Sequence, residues 1–187
     1  QRYATDPKGP LGLATADVLG AVTLSAVTWL IFTWLGGWLG DKIGRRNTYI
    51  IGWLSMLVAI VALFPLVNSG SIVLLTLGLM LLTVGLGLTY GPQAALYAEL
   101  FPASIRFSGV SIAYALGAIL GGAFAPTIAT ALVESTGTTV SVTVYLAIMA
   151  VLGLVATLLL RDRSGIPLGP DHEAEQEVSP VRGLSKV

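Results

Sequence analysis

Long uncharged blocks separated by short polar breaks dominate the chain, and the spacing of the breaks sets the predicted elements. Between Val18 and Leu160 the only acidic or basic side chains are Asp41, Lys42, Arg45, Arg46, Glu99, Arg106 and Glu134. Val18 to Gly40 carries no charge. At about 1.5 Å per helical residue such a block crosses the roughly 30 Å hydrocarbon layer of a membrane. Asn47 to Ala98 is too long for one crossing, and the polar turn Asn68-Ser69-Gly70-Ser71 divides it in two. Phe107 to Val133 and Ser135 to Leu160 supply two more, the last trimmed by the Ser-Thr-Gly-Thr-Thr turn at 135–139. The pattern predicts an all-α polytopic membrane protein with five transmembrane helices, at about 18–40, 48–67, 72–98, 107–133 and 140–160. An odd number of spans puts the two ends of this stretch on opposite sides of the bilayer.

Basic residues predict which side is which, because short cytoplasmic loops are enriched in Lys and Arg. Lys42, Arg45, Arg46, Arg106, Arg161 and Arg163 fall on one side, and only Arg2 and Lys8 on the other. The segment 1–17 is therefore expected outside, and the tail 161–187 in the cytoplasm. Three prolines and alternating acids at Glu173, Glu175 and Glu177 predict that this tail is disordered. The expected location is the inner (plasma) membrane, and nothing before Asp17 resembles a signal peptide.

Composition narrows the chemistry. The 187 residues are 55% hydrophobic and 11% charged with zero formal net charge, against roughly 25% charged in soluble domains. That excludes an ordinary soluble domain, and a nucleic-acid partner would need a clustered basic surface. There is no cysteine, and the one histidine is His172 in the tail. Thiolate nucleophiles, zinc–thiolate sites and a Ser-His-Asp triad in the apolar body are thereby excluded. No catalytic residue, metal or cofactor is expected. No GxxxxGK[ST] phosphate loop occurs, so ATP is not the direct energy source within this chain.

Two charged clusters stand against the local helix dipoles. In Gly37-Trp38-Leu39-Gly40-Asp41-Lys42-Ile43-Gly44-Arg45-Arg46, Asp41 ends a helix, where the macrodipole disfavours an anion by about 0.3–1 kcal/mol. Gly37, Gly40 and Gly44 permit close helix approach or a sharp turn. In Glu99-Leu100-Phe101-Pro102-Ala103-Ser104-Ile105-Arg106 an acid again ends a span and an arginine begins the next. Pairing between the clusters, such as Glu99 with Arg45 or Arg46, would relieve both and form a gate at the mouth of the bundle. The competing reading is a set of independent surface ion pairs and a basic anchor with turn glycines, each pair worth about 0–1 kcal/mol.

The loop GWLGDKIGRR resembles the glycine-aspartate-basic-glycine-arginine motif that major facilitator superfamily transporters carry after their second helix and, in a weaker copy, after their eighth. Together with YGPQAALYAELFPASIRFSGVSIAY and LGAILGGAFAPTIATAL, it resembles the metabolite:proton symporter branch, which includes carriers of shikimate, alpha-ketoglutarate, citrate and proline or betaine. The resemblance runs from about Tyr3 to Leu160 and implies helices eight to twelve of a twelve-helix fold. It implies that Tyr3–Asp6 leaves a seventh helix, that a six-helix N-terminal half is the expected partner, and that Asp41 faces a helix of that half.

Within the spans, Thr76, Thr83, Tyr90 and Tyr97 recur every seven residues, which drifts about 20° per heptad and keeps four hydroxyls on one helical face. Gln93 lies near that face, and Gly91-Pro92 is expected to interrupt the helix and free the carbonyl of Leu88. Such a stripe serves either a cavity or interhelical hydrogen bonds. In the family the corresponding helix lines the central cavity, which favours substrate contact for Tyr90 and Gln93, with Thr83, Tyr97, Ser111 and Tyr114 as further candidates. Span four places Gly117, Gly121 and Ala125 at four-residue spacing, the pattern of a helix-packing face. Spans two and five are nearly all aliphatic, as the family's peripheral, lipid-facing helices are.

Secondary transport of a small organic acid or zwitterionic metabolite, coupled to protons by alternating access, is the leading reading. Any coupling acid is expected in the N-terminal half or at Asp17 or Glu134, which lie at the outer edges. The alternatives are a non-transporting fragment or assembly subunit and, less favoured, an intramembrane enzyme, for which no span supplies a His, Cys or paired acid.

Overall fold

The computed structural model describes residues 13–163 and 165–177, the side chain of Leu120 excepted. Arg2, Lys8 and the rest of the expected outer segment up to residue 12 lie outside the described residues, as does the tail from 178 onward. The apolar blocks form five helical spans of membrane length. These are α1 (Thr15–Ile43), α2 (Arg45–Val67), α3 (Ile72–Leu100), a composite fourth span, and α6 (Val140–Leu159). The fourth span consists of α4 (Arg106–Gly117), a π-helical segment (Ala118–Ala123) and α5 (Ala125–Thr136). The chain is a multi-pass membrane protein of all-α class.

The first charged motif is less of a loop than its composition implies. α1 continues through Asp41 and Lys42, and α2 begins at Arg45. The whole turn is Gly44, whose φ of +91° is a conformation that L side chains rarely adopt. This one-residue hinge sets α1 and α2 side by side with their charged ends together.

Leu30, Trp34, Val58 and Phe107 are among many large apolar side chains that point outward. Lipid tails are as apolar as leucine, so burying such side chains gains little in a bilayer, and close backbone packing holds helices instead. α3 supplies it as the central helix between α1 and α2. A Cβ on Gly85 would stand 2.8 Å from the Met56 nitrogen of α2, and one on Gly87 would stand 2.6 Å from Phe32 Cβ of α1. A Cβ on Gly91 would strike the Thr33 carbonyl and lie 2.5 Å from the Gly37 nitrogen. Thr89 is buried between them, with its methyl over Gly52.

Two expectations change here. α3 runs unbroken through Gly91-Pro92. Gly91 lets α1 approach, and Pro92 packs beneath Gly40. Tight packing on both sides keeps the helix continuous through a residue that contributes no N–H. The small-residue stripe of the fourth span, conversely, is largely open among the described residues. Gly117 and Gly121 have no neighbour within 4 Å of a built Cβ, and Ala125 is only partly buried. Close-packing glycines lie instead in α3 and on the helices that face it, such as Gly36 of α1 and Gly52 of α2.

The break in the fourth span has a local cause. Pro126 brings no N–H to the carbonyl of Gly122, and the chain resets at Phe124 after the wide π turn.

α2 and α6 face lipid over much of their surface but share one specific seam. The Trp53 ring covers Gly153, and its Nε1 donates to Thr157 Oγ1 at 3.1 Å. Met56, Ile60 and Ala150 are buried beside it. At the end of the bundle away from the charged motifs, Asn68 Nδ2 donates to Thr139 Oγ1 at 3.2 Å and ties two turns together. Gly153→Val is expected to displace Trp53 and destabilise the bundle by about 1–3 kcal/mol. The check is the unfolding midpoint in detergent against Gly20→Val, since nothing lies within 4 Å of a Cβ on Gly20. Equal midpoints for the two variants would remove the seam from the account.

The tail departs from disorder up to residue 177. A 3-10 turn (Pro170–His172) and a one-turn helix, α7 (Glu173–Gln176), lie against the α3–α4 loop, with Arg163 and Gln176 buried. Polar composition is the usual mark of a disordered segment. Here backbone groups of the loop and tail bond the Gln176 amide and the two Nη atoms of Arg163, while Arg163 Nε is buried without a partner among the described residues.

Candidate functional site: a polar cleft and a charged helix end

At the charged end, Arg45, Arg46, Arg106 and Arg163 each reach a negative helix terminus or an acid. Glu99 ends α3 with its side chain 3% exposed and pairs with Arg45 of α2, whose side chain is 28% exposed. Arg45 also reaches Asp41 at 3.4 Å, although the Asp41 side chain is 72% exposed. Arg46 turns the other way. Its Nε and Nη2 donate to the carbonyls of Thr157 and Leu158, at 3.2 and 2.9 Å, at the C-terminus of α6. Those carbonyls lack intrahelical partners and sit at the negative end of the dipole, so they suit a cation.

Arg106 looks misplaced in sequence, a cation at the start of a helix. Its guanidinium folds back instead, donating from Nε to the Ala98 carbonyl at 2.9 Å in the last turn of α3. Arg163 donates toward the Leu100 carbonyl at 3.5 Å. Burial pushes the Arg163 pKa below its ordinary value, nearby Glu99 opposes that shift, and Arg106 adds to it. Lys42 lies 5.9 Å over the Trp38 ring, a cation–π contact. Of the expected cluster, the structure thus joins Arg45, Glu99 and Asp41, and sends Arg46 and Arg106 to carbonyls. Gly37 and Gly40 face α3, with a Cβ on Gly40 3.0 Å from Pro92.

Deeper along the bundle, α3 and α4 diverge and leave a cleft of about 300 Å³. Gln93 and Tyr97 of α3 line it with Ala113, Tyr114 and Gly117 of α4 and Ala118 at the start of the π segment. Three of the expected cavity residues therefore meet: Gln93, Tyr97 and Tyr114. Tyr97 also lies within electrostatic reach of Tyr49 of α2. The other three do not line the cleft. Tyr90 packs edge-on against Trp29 of α1, with centroids 5.5 Å apart at 68°. Thr83 donates its hydroxyl to the Met80 carbonyl of its own helix at 2.9 Å. Ser111 is exposed.

The cleft offers an amide and two phenols and no charged group, so it can hydrogen-bond a polar solute and stack on apolar parts of it. Among the described residues, no group of three or more His, Cys, Asp or Glu could hold a metal ion. Sequence reasoning missed the Trp53–Thr157 seam and the Gln176 anchor. The first carried a faint signal, a lone tryptophan and a lone threonine in aliphatic helices. The second carried none.

The Major Facilitator Superfamily model matches residues 9–187. The chain is similar to the inner membrane metabolite transport protein YhjE of Escherichia coli (strain K12), 39% identical over 160 residues, which is 85% of this chain and 36% of the relative. It is similar to the citrate-proton symporter of Klebsiella pneumoniae, 34% identical over 162 residues, covering 86% of this chain and 36% of the relative. The proline/betaine transporter of Escherichia coli (strain K12) is 33% identical over 148 residues, 79% of this chain and 29% of the relative. The chain thus spans about a third of the length of the curated relatives it matches. No solved structure is significantly similar to it. The relatives are transporters and not enzymes, and the match over residues 9–187 makes this chain a member of the Major Facilitator Superfamily.

Proposed function

We propose that the chain is the C-terminal part of a secondary active transporter that moves a small organic acid or zwitterionic metabolite together with protons by alternating access. The cleft between α3 and α4 is the observation that carries this reading. It brings an amide and two hydroxyls from separate spans to one opening of a size suited to a small metabolite. Polar groups at membrane depth are costly unless they meet protein, water or a solute.

In this reading Gln93, Tyr97 and Tyr114 contact substrate, and Tyr90 braces α1 against α3 beside them. The solute's charge and the proton are handled largely by the six-helix half that completes the carrier, because the lining here is uncharged. The Arg45–Glu99–Asp41 cluster is the gate. It lies on the cytoplasmic side of the inner membrane, following the bias of Lys and Arg. The glycine stripe on the fourth span, open here, receives a helix of that other half.

The test is proton-dependent uptake by the chain expressed with a matching N-terminal half, over a panel of organic acids and betaines. Gln93→Ala is expected to lower uptake of the transported solute by about 5- to 100-fold, the loss of one buried hydrogen bond of about 1–3 kcal/mol. Transport of none of the panel by the reconstituted pair, or full activity of Gln93→Ala, would remove the reading's support.

A further inference from the structure

We infer that residues 165–177 form a detachable strap that restrains the charged end of the bundle. Gln176 is its anchor, 2% exposed although it lies in a segment of polar composition. Its amide oxygen accepts from the Ala103 nitrogen and from Arg106 Nη2, both at 2.9 Å. Its amide nitrogen donates to the Pro167 and Gly169 carbonyls, both at 2.7 Å, which folds the strap on itself. Its own carbonyl accepts from Arg163.

Two further contacts fix the strap to the same loop. Glu173 accepts from the Ser104 nitrogen at 3.1 Å, and Arg106 Nη1 donates to the Leu168 carbonyl at 2.8 Å. Arg106 thus holds the end of α3 with one nitrogen and the strap with two others. The result ties the end of α3 and the start of α4 to the chain leaving α6. Glu99 of the Arg45–Glu99 pair sits at one of these ends, with Arg163 within electrostatic reach.

The chemistry of the attachment makes it reversible. Leu168, Pro167, Pro170 and Ala174 of the strap are all exposed, and neither apolar core cluster includes any of them. Ile166 alone of the strap's large apolar residues is partly buried, so hydrogen bonds do most of the holding, and water can replace each of them on release. A strap built this way can detach without exposing apolar core. It holds the α3, α4 and α6 ends at one spacing when docked and lets them separate when free. This inference rests on the transporter reading only for the consequence that release favours opening.

The chain has no cysteine, so labels can be placed without a background. Spin labels on Ser108→Cys of α4 and Leu159→Cys of α6, both exposed positions, report the spacing of the strapped ends for the full chain in lipid nanodiscs. The parent is expected to give one narrow distance distribution. Gln176→Ala, and separately a chain ending at residue 164, are expected to give a broader distribution with a longer mean, with the membrane-spanning helices and the unfolding midpoint unchanged. Glu173→Gln, which weakens only the Ser104 contact, is expected to fall between. Unchanged distributions in the first two variants overturn the strap. In the complete carrier Gln176→Ala is expected to raise the initial uptake rate several-fold, and released ends without faster uptake overturn its restraining role. A parent carrier that moves no substrate counts against the transporter reading instead, while the distances still decide the strap.

Discussion

A Gly91→Leu chain is expected to lose the α1–α3 contact altogether and fail to reach a stable helical bundle. The atoms a side chain would meet there are the Thr33 carbonyl, the Gly37 nitrogen and the Gly36 carbonyl carbon. All three belong to the backbone of α1, so no rotamer change relieves the clash, and the two helices must move apart. Overpacking commonly costs about 1–3 kcal/mol where side chains can adjust, and this site belongs at or above the upper end. Even Gly91→Ala is expected to destabilise. Alanine gains about 1 kcal/mol of helix propensity over glycine, but its Cβ is the atom that collides. A gain in the unfolding midpoint for Gly91→Ala would show that α1 and α3 are not in contact at this position.

The same logic explains why the bundle depends on three glycines of one helix. A soluble bundle would use apolar burial, yet here the outward faces are as apolar as the inward ones. Gly85 admits α2 on one side, while Gly87 and Gly91 admit α1 on the other. α3 therefore serves as the spine against which both neighbours rest, and it also carries Gln93, Tyr97 and Glu99. Packing and candidate function converge on one helix, so a change at Gly91 also moves the cleft.

The spans were legible because charge is so scarce in this chain that each break stands out. An encounter between Glu99 and the first motif was legible too, from groups set against their own helix dipoles. The choice of Arg45 over Arg46 was not. Adjacent helical residues point about 100° apart, so one arginine faces α3 and the other α6, and only the helix phase decides which. The glycines were unevenly legible. Strict four-residue spacing in the fourth span looks like a packing face, whereas Gly85, Gly87 and Gly91 pack on two faces at once and show no single period. Gln176 was invisible, because its partners come from the α3–α4 loop, Arg106 and the strap itself, brought together only by the fold.

Breaking the Arg45–Glu99 pair is expected to be asymmetric. Arg45→Ala strands Glu99, whose side chain is 3% exposed, and removing one partner of a buried pair costs about 3–5 kcal/mol. Arg163 lies within electrostatic reach of Glu99 and offsets part of that cost, so the lower end is expected. Glu99→Ala leaves a guanidinium that is 28% exposed and still has Asp41 at 3.4 Å, so its loss is expected to be smaller. Charge reversal separates the pair from its surroundings. Glu99→Arg sets a third cation beside Arg45 and Arg163 and is expected to impair uptake in the complete carrier. Adding Arg45→Glu is expected to restore part of it, with a coupling of about 0.5–3 kcal/mol in a double-mutant cycle. Adding Arg46→Glu is expected to restore nothing, because Arg46 is committed to the Thr157 and Leu158 carbonyls and its loss frees two acceptors at the end of α6. Additive losses in the Arg45 double variant, or rescue by Arg46→Glu, would show that the gate is not built on this pair.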